Sequence, residues 1–134
     1  MMPSIDAIEG IGLTFATKLR KAKVRTTEAL LKKGATRTDR KRLATATGLT
    51  ETQILEWVNR ADLMRVKGIG EEYSDLLEAA GVETVKELKT RKATVLHAKV
   101  VEINTQKQLV RRLPTASMVE RWVASAAKLA VIVK

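Results

Sequence analysis

Apolar residues recur along this chain at helical spacing, and no stretch alternates in the manner of a strand. Phe15, Leu19 and Ala22 fall on one face, as do Tyr73, Leu76, Leu77 and Ala80, each set making one buried stripe. Polar breaks separate the stripes. Ser4, Thr26, Thr36, Thr50, Asp62, Thr84 and Thr115 stand where a side-chain oxygen can take up the orphan N–H groups of a helix start, and Thr50 with Gln53 and Thr84 with Glu87 have capping-box spacing. Gly34, Gly48 and Gly81 suit helix C-caps, where a left-handed residue is needed. Pro114 disfavours helix at the residue before it and marks a last turn ahead of Thr115. The pattern predicts an all-α protein.

The pattern also repeats. Ile5-Asp6-Ala7-Ile8-Glu9-Gly10-Ile11-Gly12 recurs 58 residues later as Leu63-Met64-Arg65-Val66-Lys67-Gly68-Ile69-Gly70. The register then holds from Phe15 and Tyr73 through Leu19 and Leu77, Val24 and Val82, Thr26 and Thr84, to Leu30 and Leu88. Thr50, Ile54, Trp57, Val58 and Ala61 match Thr115, Val119, Trp122, Val123 and Ala126 at an offset of 65, so the second copy carries about seven extra residues between Thr94 and Leu113. This predicts a pseudo-duplication, residues 1–62 and 63–134, packed as one compact helical domain with an inserted helical segment near 94–113. Within the insertion, Val95, Leu96, Val100 and Ile103, then Leu109, Val110 and Leu113, predict one long helix or two, with Asn104 as the break.

With 134 residues, 45% hydrophobic and 30% charged, the chain has the balance of a globular protein able to bury a core without staples. It contains no cysteine, which excludes disulfides and thiolate chemistry. Its start has neither the basic nor the apolar region of a signal peptide, and no run reaches the roughly 20 apolar residues that span a bilayer; a cytoplasmic protein with no membrane partner is the expectation. The apolar tail Leu129-Ala130-Val131-Ile132-Val133 is expected to finish a helix or pack on the core.

Net charge is +10, which bears on partners and not on fold. From Lys18 to Arg42 there are eleven basic residues against Glu28 and Asp39, and from Lys86 to Arg112 eight against Glu87 and Glu102. Such concentrations suit a polyanion, although solvated helix faces produce them too.

A short helix ending in hydrophobic-x-Gly-Ile-Gly and followed by a second helix resembles the helix-hairpin-helix family, over Ile5 to Ala22 and again over Leu63 to Ala80. The segment Leu77-Glu78-Ala79-Ala80-Gly81-Val82-Glu83-Thr84 is similar to the helical domains that precede strand-exchange recombinases. The second half, from Leu96 through Leu113-Pro114-Thr115 to Trp122, resembles an uncharacterised bacterial family of tandem helix-hairpin-helix proteins. The resemblance implies two tandem helix-hairpin-helix repeats, whose relatives address the two strands of a duplex across its minor groove.

The chemistry of the motif follows from its residues. Glycine on each side of Ile11 or Ile69 lets the backbone turn sharply and leaves N–H groups free at the next helix start, where the helix dipole adds about half a positive charge. Such a turn can hold a phosphate oxygen but cannot read a base. The candidate nucleic-acid contacts are Gly10, Ile11, Gly12, Thr14, Lys18 and Lys21, together with Lys32, Lys33, Arg37, Arg40, Lys41 and Arg42; Thr17 is a further hydrogen-bond donor. The second turn, Lys67, Gly68, Ile69 and Gly70, is followed by Glu71, Glu72, Asp75 and Glu78, which satisfy the helix dipole internally and repel a polyanion. It is expected to contribute little, or to face a protein.

The aromatics fall in equivalent pairs, Phe15 with Tyr73 and Trp57 with Trp122, and are expected in the core, with the tip of Tyr73 able to reach the rim. His97 is the only histidine and has no cysteine companion, so no zinc site, cofactor or catalytic centre is expected, and it is placed on a helix surface. The leading expectation is non-sequence-specific binding of a nucleic-acid backbone, DNA favoured over RNA. The alternative is a protein-protein adaptor that uses the same fold without nucleic acid.

Overall fold

The computed structural model describes residues 4–8 and 10–134; Glu9, part of the repeated segment, lies outside the described residues. Among the described residues the protein is all-helical. A 3-10 turn at Ile5–Ala7 precedes α1 (Leu13–Lys21), α2 (Thr27–Lys33), α3 (Arg37–Thr47), α4 (Glu51–Leu63), α5 (Glu71–Ala79), α6 (Val85–Leu88), α7 (Ala93–Lys107) and α8 (Ala116–Ala127). The only extended pairing among these residues is an isolated bridge between Ser4 and Thr26. The chain divides into two compact units, Met1–Asp62 with Ile132–Lys134, and Leu63–Val131.

Local chemistry explains the helix starts. Thr26, Thr36, Thr50 and Thr115 each accept, through the side-chain oxygen, the N–H three residues on, at 3.0 to 3.2 Å. At Thr50 the box is reciprocal, since Gln53 Oε1 accepts the Thr50 N–H at 3.1 Å. Thr84 caps Glu87 at 3.4 Å, but the Glu87 carboxylate lies 3.9 Å from Arg91 and serves a turn lower. Two expected starts differ. Ser4 precedes the 3-10 turn without a side-chain cap, and Asp62 is the penultimate residue of α4 and buried, because the apolar stripe of Ile54, Trp57, Val58 and Ala61 continues to Leu63.

In the first unit the core gathers Ile5, Ile8, Ile11, Leu19, Val24, Leu30, Leu43, Ile54, Trp57 and Val58. The helix ends there are instructive. Gly48 closes α3 in the left-handed region, as expected, but Gly34 has φ −120° and closes α2 without it. Glycine is required at 34 for space: a Cβ would collide with Val58 Cγ2 and stand 3.1 Å from the Leu30 carbonyl oxygen. The left-handed residue after α1 is instead Lys23, at φ 68°, where Val24 N–H donates back to the Leu19 carbonyl at 2.9 Å.

In the second unit Leu63, Val66, Ile69, Leu76, Leu77, Val82, Val85, Leu88, Leu96, Val100, Val119 and Trp122 form one core, with α8 packed on α6 and α7 and α5 on α7. Val82 N–H donates to the Leu77 carbonyl at 2.9 Å, and the left-handed position is Gly81 at φ 88°. The inserted segment is a single helix, α7, and Asn104 does not break it. Its side chain accepts the Val110 N–H at 3.0 Å and donates to the Val110 carbonyl at 3.3 Å, folding the segment after Gln108 back along α7. α8 ends at Ala127, and Leu129 then packs on this core; Lys134, itself part of the first unit, donates its N–H to the Ala35 carbonyl there.

Two stability predictions follow from these ends. The left-handed conformation costs an L-residue about 1 to 2 kcal/mol, and glycine loses about 0.5 to 1 kcal/mol more chain entropy on folding, so Lys23→Gly is expected to stabilise by about 0.5 to 1 kcal/mol, read as a higher urea midpoint. Gly34→Ala is expected to destabilise by about 1 to 3 kcal/mol through overpacking against α4. An unchanged urea midpoint in Gly34→Ala would show that Val58 can yield.

Candidate functional site

The chain reaches α1 through two tight backbone bonds, Ile8 N–H to the Ile5 carbonyl at 3.2 Å and Ile11 N–H to the Ile8 carbonyl at 3.1 Å. Between them Gly10 turns at φ 92°, which an L-residue adopts only at a cost. Ile11 is thereby driven into the core, and Gly12 becomes the N-cap of α1. Gly12 provides no side-chain cap, and the first turn of α1 carries no acid, so the positive end of this helix is electrostatically uncompensated by its own residues. A Cβ on Gly12 would meet nothing within 4 Å, and its φ of −83° suits any residue. The fold does not require glycine there.

Beyond the turn, Thr14, Lys18 and Lys21 are exposed and follow one another at i, i+4 and i+7, on one face of α1. The Thr17 hydroxyl points elsewhere, donating to the Leu13 carbonyl at 2.8 Å. Leu13 itself is 81% exposed at the head of the helix. Among the described residues Asp6 stands close by, its carboxyl held below its ordinary range by the Ser4 hydroxyl first, and then by Arg20, whose guanidinium lies 3.5 Å away.

Of the basic run, Lys32, Lys33 and Arg42 come together around an open cleft of about 400 Å³ that is also lined by Ala22, Asp39 and Leu43. Ala22 is the C-cap of α1, so this cleft opens beside Lys21. Lys33 Nζ donates to the Ala22 carbonyl at 3.0 Å, and Lys32 lies 3.2 Å from Glu28, an exposed pair that contributes little to stability and leaves the lysine on the surface. Arg37 and Lys41 are exposed one turn apart on α3. Arg40, expected beside them as a phosphate contact, is turned inward. It is 8% exposed, and its guanidinium donates to the carbonyl oxygens of Gly34 at 2.8 Å and Ala35 at 3.1 Å and to the backbone oxygen of Lys134 at 2.8 Å. Its side chain ties the α2–α3 junction to residue 134, a structural role that periodicity alone does not reveal.

The second turn has the same local geometry. Val66 N–H donates to the Leu63 carbonyl and Ile69 N–H to the Val66 carbonyl, both at 3.1 Å, Gly68 turns at φ 95°, Ile69 is buried, and Gly70 is the N-cap of α5. The first turn of α5, however, carries Glu71 and Glu72. In each unit a tryptophan lies against the turn glycine. A Cβ on Gly10 would stand 3.6 Å from Trp57 Nε1, and one on Gly68 only 3.1 Å from Trp122 Nε1. Phe15 tilts against Trp57 with ring centroids 5.2 Å apart, and Tyr73 against Trp122 at 5.1 Å. The Tyr73 hydroxyl donates to the Arg112 carbonyl at 3.0 Å, and His97 Nε2 lies 3.1 Å from the Pro114 carbonyl oxygen, so the polar tips of both residues have backbone partners in the second unit.

Sequence reasoning missed two cations. Arg121 and Lys128, on and at the end of α8, join Lys67 around a second cleft beside Gly68. The signal was available in the repeat, because the offset of 65 sets Arg121 against Glu56 and Lys128 against Leu63, so the two copies differ in charge at these places. Among the described residues no group of three or more His, Cys, Asp or Glu side chains is placed to hold a metal, and no helix is long and apolar enough to cross a membrane.

Searches of curated proteins and of solved structures find no match to the chain. The family model described as "Domain of unknown function (DUF4332)" matches residues 9–129, most of the chain. The match takes in Gly10, α1 to α8 and both clefts, and the chain belongs to that family.

Proposed function

We propose that this protein grips the sugar-phosphate backbone of a nucleic acid, double-stranded DNA foremost, without reading bases, and that its two units are tandem helix-hairpin-helix repeats. The observation that carries the reading is the head of α1: an N-cap glycine with open space above it, no acid in the first turn, and Thr14, Lys18 and Lys21 exposed along one face. A phosphate oxygen is the natural occupant of such a helix start. Lys32, Lys33, Arg37, Lys41 and Arg42 extend the positive surface, while Arg40 is excluded from it by its internal bonds. Contacts of this kind position a duplex and carry no sequence information.

A protein adaptor is the second reading. The observations that favour it are the acidic first turn of α5 and the exposure of Val95 and Leu113, at 63% and 42%, in the second unit. The two readings separate by charge reversal. Lys18→Glu with Lys21→Glu is expected to weaken binding of a labelled duplex by tenfold or more, as the loss of two phosphate contacts implies. Glu71→Gln with Glu72→Gln is expected to strengthen it by less. Fluorescence anisotropy on folded variants checks this ranking, and the reverse order would move the backbone contact away from α1.

A further inference from the structure

The second unit holds a cleft of about 620 Å³ that the α1 reading does not use. It is lined by Lys67, Gly68, Met118, Arg121, Trp122, Ser125 and Lys128. Three of these side chains are cations, and among the described residues no acid lines the cleft. Arg121, Ser125 and Lys128 fall at i, i+4 and i+7 along α8 and its C-cap, so their side chains issue from one face. Lys67 joins them from outside α8, immediately before the left-handed Gly68. Lys67, Arg121 and Lys128 are exposed, and among the described residues no carboxylate pairs with any of them.

Trp122 supplies the directional element. Its ring is buried, held by Tyr73 on one side, and its Nε1 faces the Gly68 backbone at a separation that a Cβ would reduce to 3.1 Å. No acceptor among the described residues takes the Nε1–H. The cleft therefore combines a neutral indole donor with three cations, a lining dominated by donors, with only the Ser125 hydroxyl and the weakly accepting Met118 thioether beside them among its side chains. The acids that led the sequence to discount the second turn, Glu71 and Glu72, stand in the first turn of α5 and do not line this cleft.

We propose that this cleft is an anion site for the phosphate group of a nucleotide unit, with Arg121, Lys128 and Lys67 holding the phosphate oxygens and the Trp122 indole N–H donating to it. Its volume lies within the range of small-molecule sites and exceeds what a bare phosphate fills, leaving room for the attached sugar. The phosphate can belong to a duplex backbone or to a free nucleotide. In the first case the proposal rests on the backbone binding argued above; in the second it stands without it.

The test is NMR of the two tryptophan indole N–H signals, assigned with Trp57→Phe, during titration with a mononucleotide and, separately, a short DNA duplex at constant ionic strength. The Trp122 signal is expected to shift and saturate with at least one of them while Trp57 moves less. Arg121→Ala with Lys128→Ala, a change at two exposed positions whose folding is checked by thermal unfolding, is expected to abolish the shift. Saturation with the duplex, together with a several-fold loss of duplex affinity in the double variant, identifies a backbone phosphate as the occupant. Saturation with the mononucleotide alone identifies a free nucleotide. A Trp122 signal unmoved by both, or a shift that survives the double variant, overturns the proposal. Because Lys18 and Lys21 are intact in this variant, failure of the cleft is distinguishable from failure of the α1 reading.

Discussion

Each unit depends on one contact: a glycine turned into left-handed backbone with a buried tryptophan laid against it. The turn drives the next residue, Ile11 or Ile69, into the core and hands the chain to a helix whose N-cap is a second glycine. The tryptophan comes from a helix far along the sequence, α4 for Gly10 and α8 for Gly68, so this contact closes each unit upon itself. The neighbouring aromatic, Phe15 or Tyr73, adds a tilted ring pair worth about 1 kcal/mol beyond its buried area. The turn presents the helix start, and the tryptophan backs its inner side beside the buried isoleucine and the turn's own backbone bonds.

The same scaffold carries two different electrostatic surfaces. In the first unit the positive helix start is open, and cations run along α1 and into the cleft between α2 and α3. In the second the helix start is answered by Glu71 and Glu72, and cations from α8 and its C-cap gather with Lys67 beside the turn glycine. Glu56 of α4 occupies the repeat position of Arg121, and its carboxylate lies 3.5 Å from Arg60.

Much of the fold was legible because its determinants are local. Threonine caps act over three residues, and apolar stripes repeat at helical spacing, so Thr26, Thr36, Thr50, Thr84 and Thr115 all stand before helices as expected. The misreadings came where a residue answers to a distant partner. Gly34 does cap α2 as expected, but it is not left-handed and is glycine because Val58, 24 positions on, leaves no space for a Cβ. Arg40 is buried because residue 134 supplies an acceptor. Asn104 reads as a helix breaker until Val110 is folded back onto it. Of the candidate site, the turn and the α1 face could be named from the sequence, whereas the meeting of Lys67 with Arg121 and Lys128 required the packing of α8 beside the turn.

The central claim is that backbone phosphates are held at the head of α1. Its most direct test is anisotropy of a labelled duplex at roughly 50 to 200 mM salt, for the native chain and for Gly12→Ala, which the fold accommodates. About five phosphate contacts predict a log-log slope of about −4 to −5, with the native chain binding several-fold more tightly than Gly12→Ala, whose methyl group stands where the backbone must approach. Binding that is absent, or that is indifferent to both salt and Gly12→Ala, would contradict the account.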